Sequence, residues 1–124
     1  MMGLQIQIAG GRTRFRGGQE ISGEVSWELP VAPREVVLEL LWTTRGKGTV
    51  DTAIVESIRF PKPPAKDEQP FRLRLPESPV SFTGKLVSLN WYLRVLAKPS
   101  NEQTQLKLII SPTGEEIELA RIGG

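Results

Sequence analysis

The 124-residue sequence predicts an all-β protein folded as a single sandwich, and three observations support this. Short runs alternate apolar and polar residues at period two. Glycine or proline punctuates most intervals between them, and no segment carries a convincing 3.6-residue period. The fullest run is Val87 to Val95, where Val87, Leu89, Trp91, Leu93 and Val95 share one face and Ser88, Asn90, Tyr92 and Arg94 share the other.

Leu4, Ile6 and Ile8 alternate with Gln5 and Gln7 before Gly10-Gly11 breaks the run, which predicts a first strand and a turn. Thr13 and Phe15 stand opposite Arg12, Arg14 and Arg16 in a short second strand, and Gly17-Gly18 turns the chain again. Ile21, Gly23, Val25, Trp27 and Leu29 alternate with Glu20, Ser22, Glu24, Ser26 and Glu28, the clearest half-buried strand of the chain. After a connection from Pro30 to Pro33, Val36, Leu38, Leu40 and Trp42 take one face of a more continuously apolar strand, with Val37 and Leu41 on the opposite face. Arg45-Gly46-Lys47-Gly48 predicts a hairpin loop into a strand from about Thr49 to Phe60. That strand's parity is ambiguous, with Val50, Thr52, Ile54, Glu56 and Ile58 on one side and Ala53 and Val55 on the other.

Pro61, Pro63, Pro64 and Pro70 bracket a charged stretch without core-forming residues, expected to be an extended loop. Phe71, Leu73 and Leu75 resume the alternation, with Arg72 and Arg74 outward. Beyond the Val87 run come a strand with Leu106, Leu108 and Ile110, a turn at Ser111-Pro112-Thr113-Gly114, and a last strand around Ile117 and Leu119. The result is about nine antiparallel strands in one domain, residues 1–124, the pattern of an immunoglobulin-like sandwich.

Composition narrows the chemistry. The chain has no histidine and no cysteine, which removes the Ser-His-Asp triad, most zinc sites, disulfides and thiol chemistry. Asp51 and Asp67 are the only aspartates among 14 acidic residues, and the glutamates mostly alternate along strands as a solvated face requires. No enzymatic activity, metal or cofactor is expected. Arg45-Gly46-Lys47-Gly48 lacks the strand-to-helix context of a phosphate loop. A net charge of +2 and aromatics on core faces give no footprint for nucleic acid. No apolar run approaches the roughly 20 residues that span a bilayer, so stable membrane insertion is not expected. The N-terminus lacks the pattern of a secretory signal, and the expected address is cytoplasmic.

Candidate binding residues are therefore sought on outer faces. Arg12, Arg14 and Arg16 project from one side of their strand, and Arg72 and Arg74 form a second row. Such a face suits acidic peptide, phosphate or anionic lipid, and it equally suits a strand kept soluble and unpaired. Trp27, Trp42 and Trp91 lie with aliphatic neighbours on core faces and are expected to be buried rather than to stack sugars. Tyr92 is the aromatic on a polar face.

Two segments together carry a family resemblance. Ser81-Phe82-Thr83-Gly84 with Leu89, Trp91 and Leu93 downstream resembles the arrestin N-domain motif, in which an aromatic-containing turn and a glycine precede a long core strand. Phe15 to Val25 resembles the same family's strand, turn and glycine-x-valine opening, with Gly18 where the family commonly has proline. The resemblance covers most of residues 3 to 120 and implies an adaptor or scaffold that binds other proteins without a cofactor. Arrestins pair two such sandwiches, and this chain is long enough for one.

The functional expectation is a non-catalytic protein-interaction module. Its partner strand is accepted at an exposed sheet edge, or a sheet face carrying Val37, Leu41 or Tyr92 packs against a second sandwich, with a homodimer as one form of that contact. The alternative is a sandwich that binds carbohydrate or an anionic lipid or phosphate.

Overall fold

A computed structural model describes residues 3–46, 48–84, 86–115 and 117–118. Lys47 of the expected hairpin loop, Lys85 beside the signature turn, Leu119 of the last strand and the 121–124 tail lie outside the described residues. Among the described residues ten strands follow one another: β1 (Gly3–Ile8), β2 (Arg14–Phe15), β3 (Glu20–Glu28), β4 (Glu35–Gly46), β5 (Thr49–Pro61), β6 (Lys66–Arg74), β7 (Phe82–Thr83), β8 (Val87–Lys98), β9 (Gln103–Ile110) and β10 (Ile117–Glu118). One three-residue turn of 3-10 helix at Ala9–Gly11 separates the first two.

The strands form two sheets. The small one runs β1-β3-β6, and the large one runs β10-β7-β8-β4-β5, with β9 on the remaining edge of β8 and β2 beside β9. All long pairings are antiparallel, two of them, β4–β5 and β8–β9, between consecutive strands. The two-residue pairings β2–β9 and β7–β10 are parallel.

Alternation decides what lies between the sheets. Ile21, Val25 and Trp27 of β3 and Phe71 and Leu73 of β6 face Val36, Leu38 and Leu40 of β4 and Leu89, Trp91, Leu93 and Val95 of β8. Full burial of each such side chain contributes roughly 1.5–3 kcal/mol, so this layer dominates the favourable side of folding. Trp91 is wholly inaccessible, and its Nε1–H donates to Pro79 O at 2.9 Å; that of Trp27 donates to Pro64 O at the same distance. The indoles fill the core while their polar edges are satisfied by proline carbonyls of flanking loops.

The structure departs from the expected elements in three places. The stretch from Pro61 to Pro70 is a loop only as far as Ala65: β6 begins at Lys66, because β3 needs a partner along its whole length. Pro70 is tolerated inside it because β6 is an edge strand, where an N–H pointing away from the sheet has no ladder partner. The ambiguous parity of β5 is a β-bulge. Leu40 pairs with Glu56 and Leu41 with Ile54, leaving Val55 as the extra residue and switching faces at that point. Val87 has the parity of the core but is 40% exposed, because the end of β8 overhangs the sandwich.

Two buried serines close the signature turn onto the sheet. Ser81 Oγ accepts from Ile110 N–H at 3.0 Å while Ser81 N–H donates to Ile110 O at 2.7 Å. Ser111 Oγ–H donates to Glu115 O at 2.5 Å, and its N–H donates to Phe15 O at 3.1 Å. Gly23 lets β1 cross β3 closely: a Cβ there would sit 2.0 Å from Gln7 O.

Candidate interaction surfaces

The five arginines singled out in the sequence do not form one face. Arg72 and Arg74 stand on the outer face of the small sheet, where register places Arg74 across from Glu20 and Arg72 across from Ser22. Arg72 Nε lies 3.4 Å from Glu20 Oε1, with both side chains more than half exposed. Arg12 caps the ring of buried Phe15, its guanidinium carbon 4.9 Å from the centroid, and donates to Arg14 O at 3.3 Å. Its cation is committed to covering the core.

Arg12, Arg14 and Arg16 line one cleft of about 290 Å³ with Gln19 and Glu115, and Arg16 and Arg74 line another of about 740 Å³ with Gly17, Gly18, Gln19 and Glu77. The walls are held by Gly18 N–H donating to Leu75 O and Leu75 N–H donating to Gln19 O. Gly17 sits against Glu77, whose Cα would be 2.6 Å from an added Cβ. Nothing in the sequence brings positions 16 and 74 together; the β3–β6 pairing does.

The outer face of the large sheet is of another kind. Register sets its rows across β5, β4, β8 and β9: Ile54, Leu41, Tyr92, Lys107; then Ser57, Glu39, Arg94, Gln105; then Arg59, Val37, Leu96, Gln103. Val37 and Leu41 do occupy this face, but not as projecting side chains. They are 5% and 1% exposed, which corrects the expectation that they stand free for a partner. Each is hemmed in by cross-strand neighbours, Leu41 by Ile54 and Tyr92, Val37 by Arg59 and Leu96. Tyr92 is half-buried beside them.

Between the two apolar rows lies an ion pair. Arg94 donates from Nη2 to Glu39 Oε1 at 2.7 Å and from Nε to the same oxygen at 2.9 Å, with side chains 22% and 13% exposed. A further row holds Lys98 against Glu35 at 3.9 Å. Glu39 and Leu96 also belong to this face, beyond the residues expected there. The available signal was their parity, which they share with Val37, Leu41 and Tyr92.

The edges formed by β5 and β6 carry features that discourage pairing. β5 is an edge strand, but it carries the bulge at Val55 and turns Asp51 and Glu56 toward the core side, opposite Thr44 and Leu40. β6, at an edge of the small sheet, carries Pro70. Bulges, inward charges and proline are the features that blunt edge-to-edge pairing. Among the described residues no group of acidic side chains is placed to hold a metal ion, and no helix is long and apolar enough to cross a membrane.

Comparison with solved structures gives the architecture its place. Spo0M, a sporulation control protein from Bacillus subtilis, superposes with a TM-score of 0.65 at 15% identity, over 88% of this chain and 49% of Spo0M. The fold is arrestin-like. This arrestin-like sandwich thus spans about half the length of the solved protein it matches. The superoxide reductase neelaredoxin from Ignicoccus hospitalis aligns with a TM-score of 0.46 at 10% identity, over 88% of this chain and 80% of that one. No protein-family model and no curated protein sequence matches the chain.

Proposed function

We propose that this chain is a non-catalytic, regulatory protein-interaction module, an adaptor or scaffold resembling one half of an arrestin, and that it works in the cytoplasm. The observation that carries the proposal is the outer face of the large sheet. There Leu41, Tyr92, Val37 and Leu96 surround a half-buried Arg94–Glu39 pair, whereas the small sheet turns charged, exposed residues outward. The accessible part of that face is Tyr92, the 52%-exposed Ile54 and the satisfied ion pair, a mixture of aromatic, aliphatic and polar groups of the kind found in protein contacts. The arrestin-like fold and the name of Spo0M as a sporulation control protein agree with a regulatory role.

Affinity capture from the native host tests this, with the wild-type chain and a Tyr92→Glu variant as parallel baits. A partner held by the first and lost with the second is expected; identical captures would remove this face from the function. A second reading, binding of a phosphate or carboxylate group, draws on the convergence of Arg16 and Arg74. Its check is titration with inorganic phosphate: saturable binding abolished in Arg16→Glu supports it, and none in the wild type ends it. The carbohydrate version has lost its premise, since Trp27 and Trp91 are buried and Trp42 packs against the core.

A further inference from the structure

The outer face of the large sheet is complementary to itself. Along β4 its residues read Glu35, Val37, Glu39, Leu41; along β8, in the same rows, they read Lys98, Leu96, Arg94, Tyr92. One column is acidic and aliphatic, while the other is basic and apolar. We propose that two copies of this chain pack through this face, about a two-fold axis running parallel to the strands between β4 and β8.

Such an axis exchanges the two columns. Glu39 of one copy meets Arg94 of the other and Glu35 meets Lys98, while the half-buried Tyr92 of each copy lies over the covered Leu41 of the other. Every contact occurs twice, as an isologous interface requires. The alternative two-fold, lying across the strands along the ionic row, sets Glu39 against Glu39 and Arg94 against Arg94; charge therefore selects the first. Within each copy Glu39 and Arg94 already pair, so association builds a four-charge cluster of alternating sign without stranding either group.

Two further features favour this face over other routes to a dimer. The bulge, Asp51 and Glu56 of β5 and Pro70 of β6 oppose joining the sheets at those two edges. The outer face of the small sheet is predominantly charged and polar, with Gln5 and Gln7 of β1 beside the glutamates and serines of β3 and the arginines of β6, and its Arg72–Glu20 pair is solvated. Ile54, on β5 beside Leu41, is 52% exposed and adds apolar area that only the large sheet's face offers.

The inference rests on the same face as the proposed function, and the test separates the two. Sedimentation velocity of the full chain from about 1 µM to about 1 mM is expected to show a monomer–dimer equilibrium. Arg94→Glu makes the central ionic row acidic and Glu39→Arg makes it basic. Each alone is expected to weaken self-association by about tenfold or more, while an equimolar mixture forms a one-to-one heterodimer. The mixture matters because the within-chain pair is broken in both variants, so damage to the monomer cannot produce that recovery. Tyr92→Glu, outside the ion pair, is expected to give a folded monomer by circular dichroism. A wild-type chain that stays monomeric throughout overturns the dimer, as does self-association that survives Tyr92→Glu and both charge reversals. If the wild type is monomeric and Tyr92→Glu still abolishes capture of a different protein, the module reading stands and only the second copy is rejected.

Discussion

The two sheets each present an arginine–glutamate pair to the outside, and the pairs differ in everything but chemistry. Arg72 and Glu20 approach to 3.4 Å with side chains 74% and 57% exposed; Arg94 and Glu39 approach to 2.7 Å with side chains 22% and 13% exposed. The first pair is solvated at both ends and contributes little. The second is largely desolvated and doubly hydrogen-bonded, so loss of either partner leaves a charge with little water and no counterion. The same division runs through the neighbouring residues, with Ser22 and Glu24 on one face and Leu41 and Val37 on the other. One outer face is a solubility surface; the other is packed without belonging to the central core cluster.

Substitutions break this contrast if it is wrong. Leu41→Ala is expected to cost about 2–4 kcal/mol, a value proper to a core position, although Leu41 points away from the core; urea denaturation measures it, and a cost under about 1 kcal/mol would mean the face is loosely packed. Arg94→Ala is expected to lower stability by roughly 1–3 kcal/mol, below the figure for a fully buried pair because water still reaches the group. Ser81→Ala should cost about 1–3 kcal/mol by stranding the Ile110 N–H, and amide exchange at Ile110 should quicken if that bond matters. Arg72→Ala is expected to fall within about 0.5 kcal/mol of wild type. A thermal melt of Arg72→Ala beside Arg94→Ala gives the sharpest single view: equal shifts would erase the distinction between the faces.

Much of the architecture was legible along the chain. Period-two alternation placed Trp27, Trp91, Leu38 and Leu93 on core faces, and it placed Tyr92 and Arg94 together on the other side of β8. What failed were features that depend on a neighbour. The charged, proline-flanked stretch before Phe71 has no apolar pattern of its own and becomes β6 only because β3 offers it a ladder. The parity of β5 could not be resolved because a bulge breaks the alternation, and bulges are set by the register against β4.

The candidate site divides in the same way. The sequence by itself determined the sandwich, the faces of each strand and the absence of histidine and cysteine chemistry, because those depend on residue type and local period. Tertiary structure alone decided that Glu39 pairs with Arg94 across 55 positions, that Arg16 meets Arg74, and that Val37 and Leu41 are covered. Those facts follow from strand register, and a shift of one residue between β4 and β8 would turn each side chain to the opposite face.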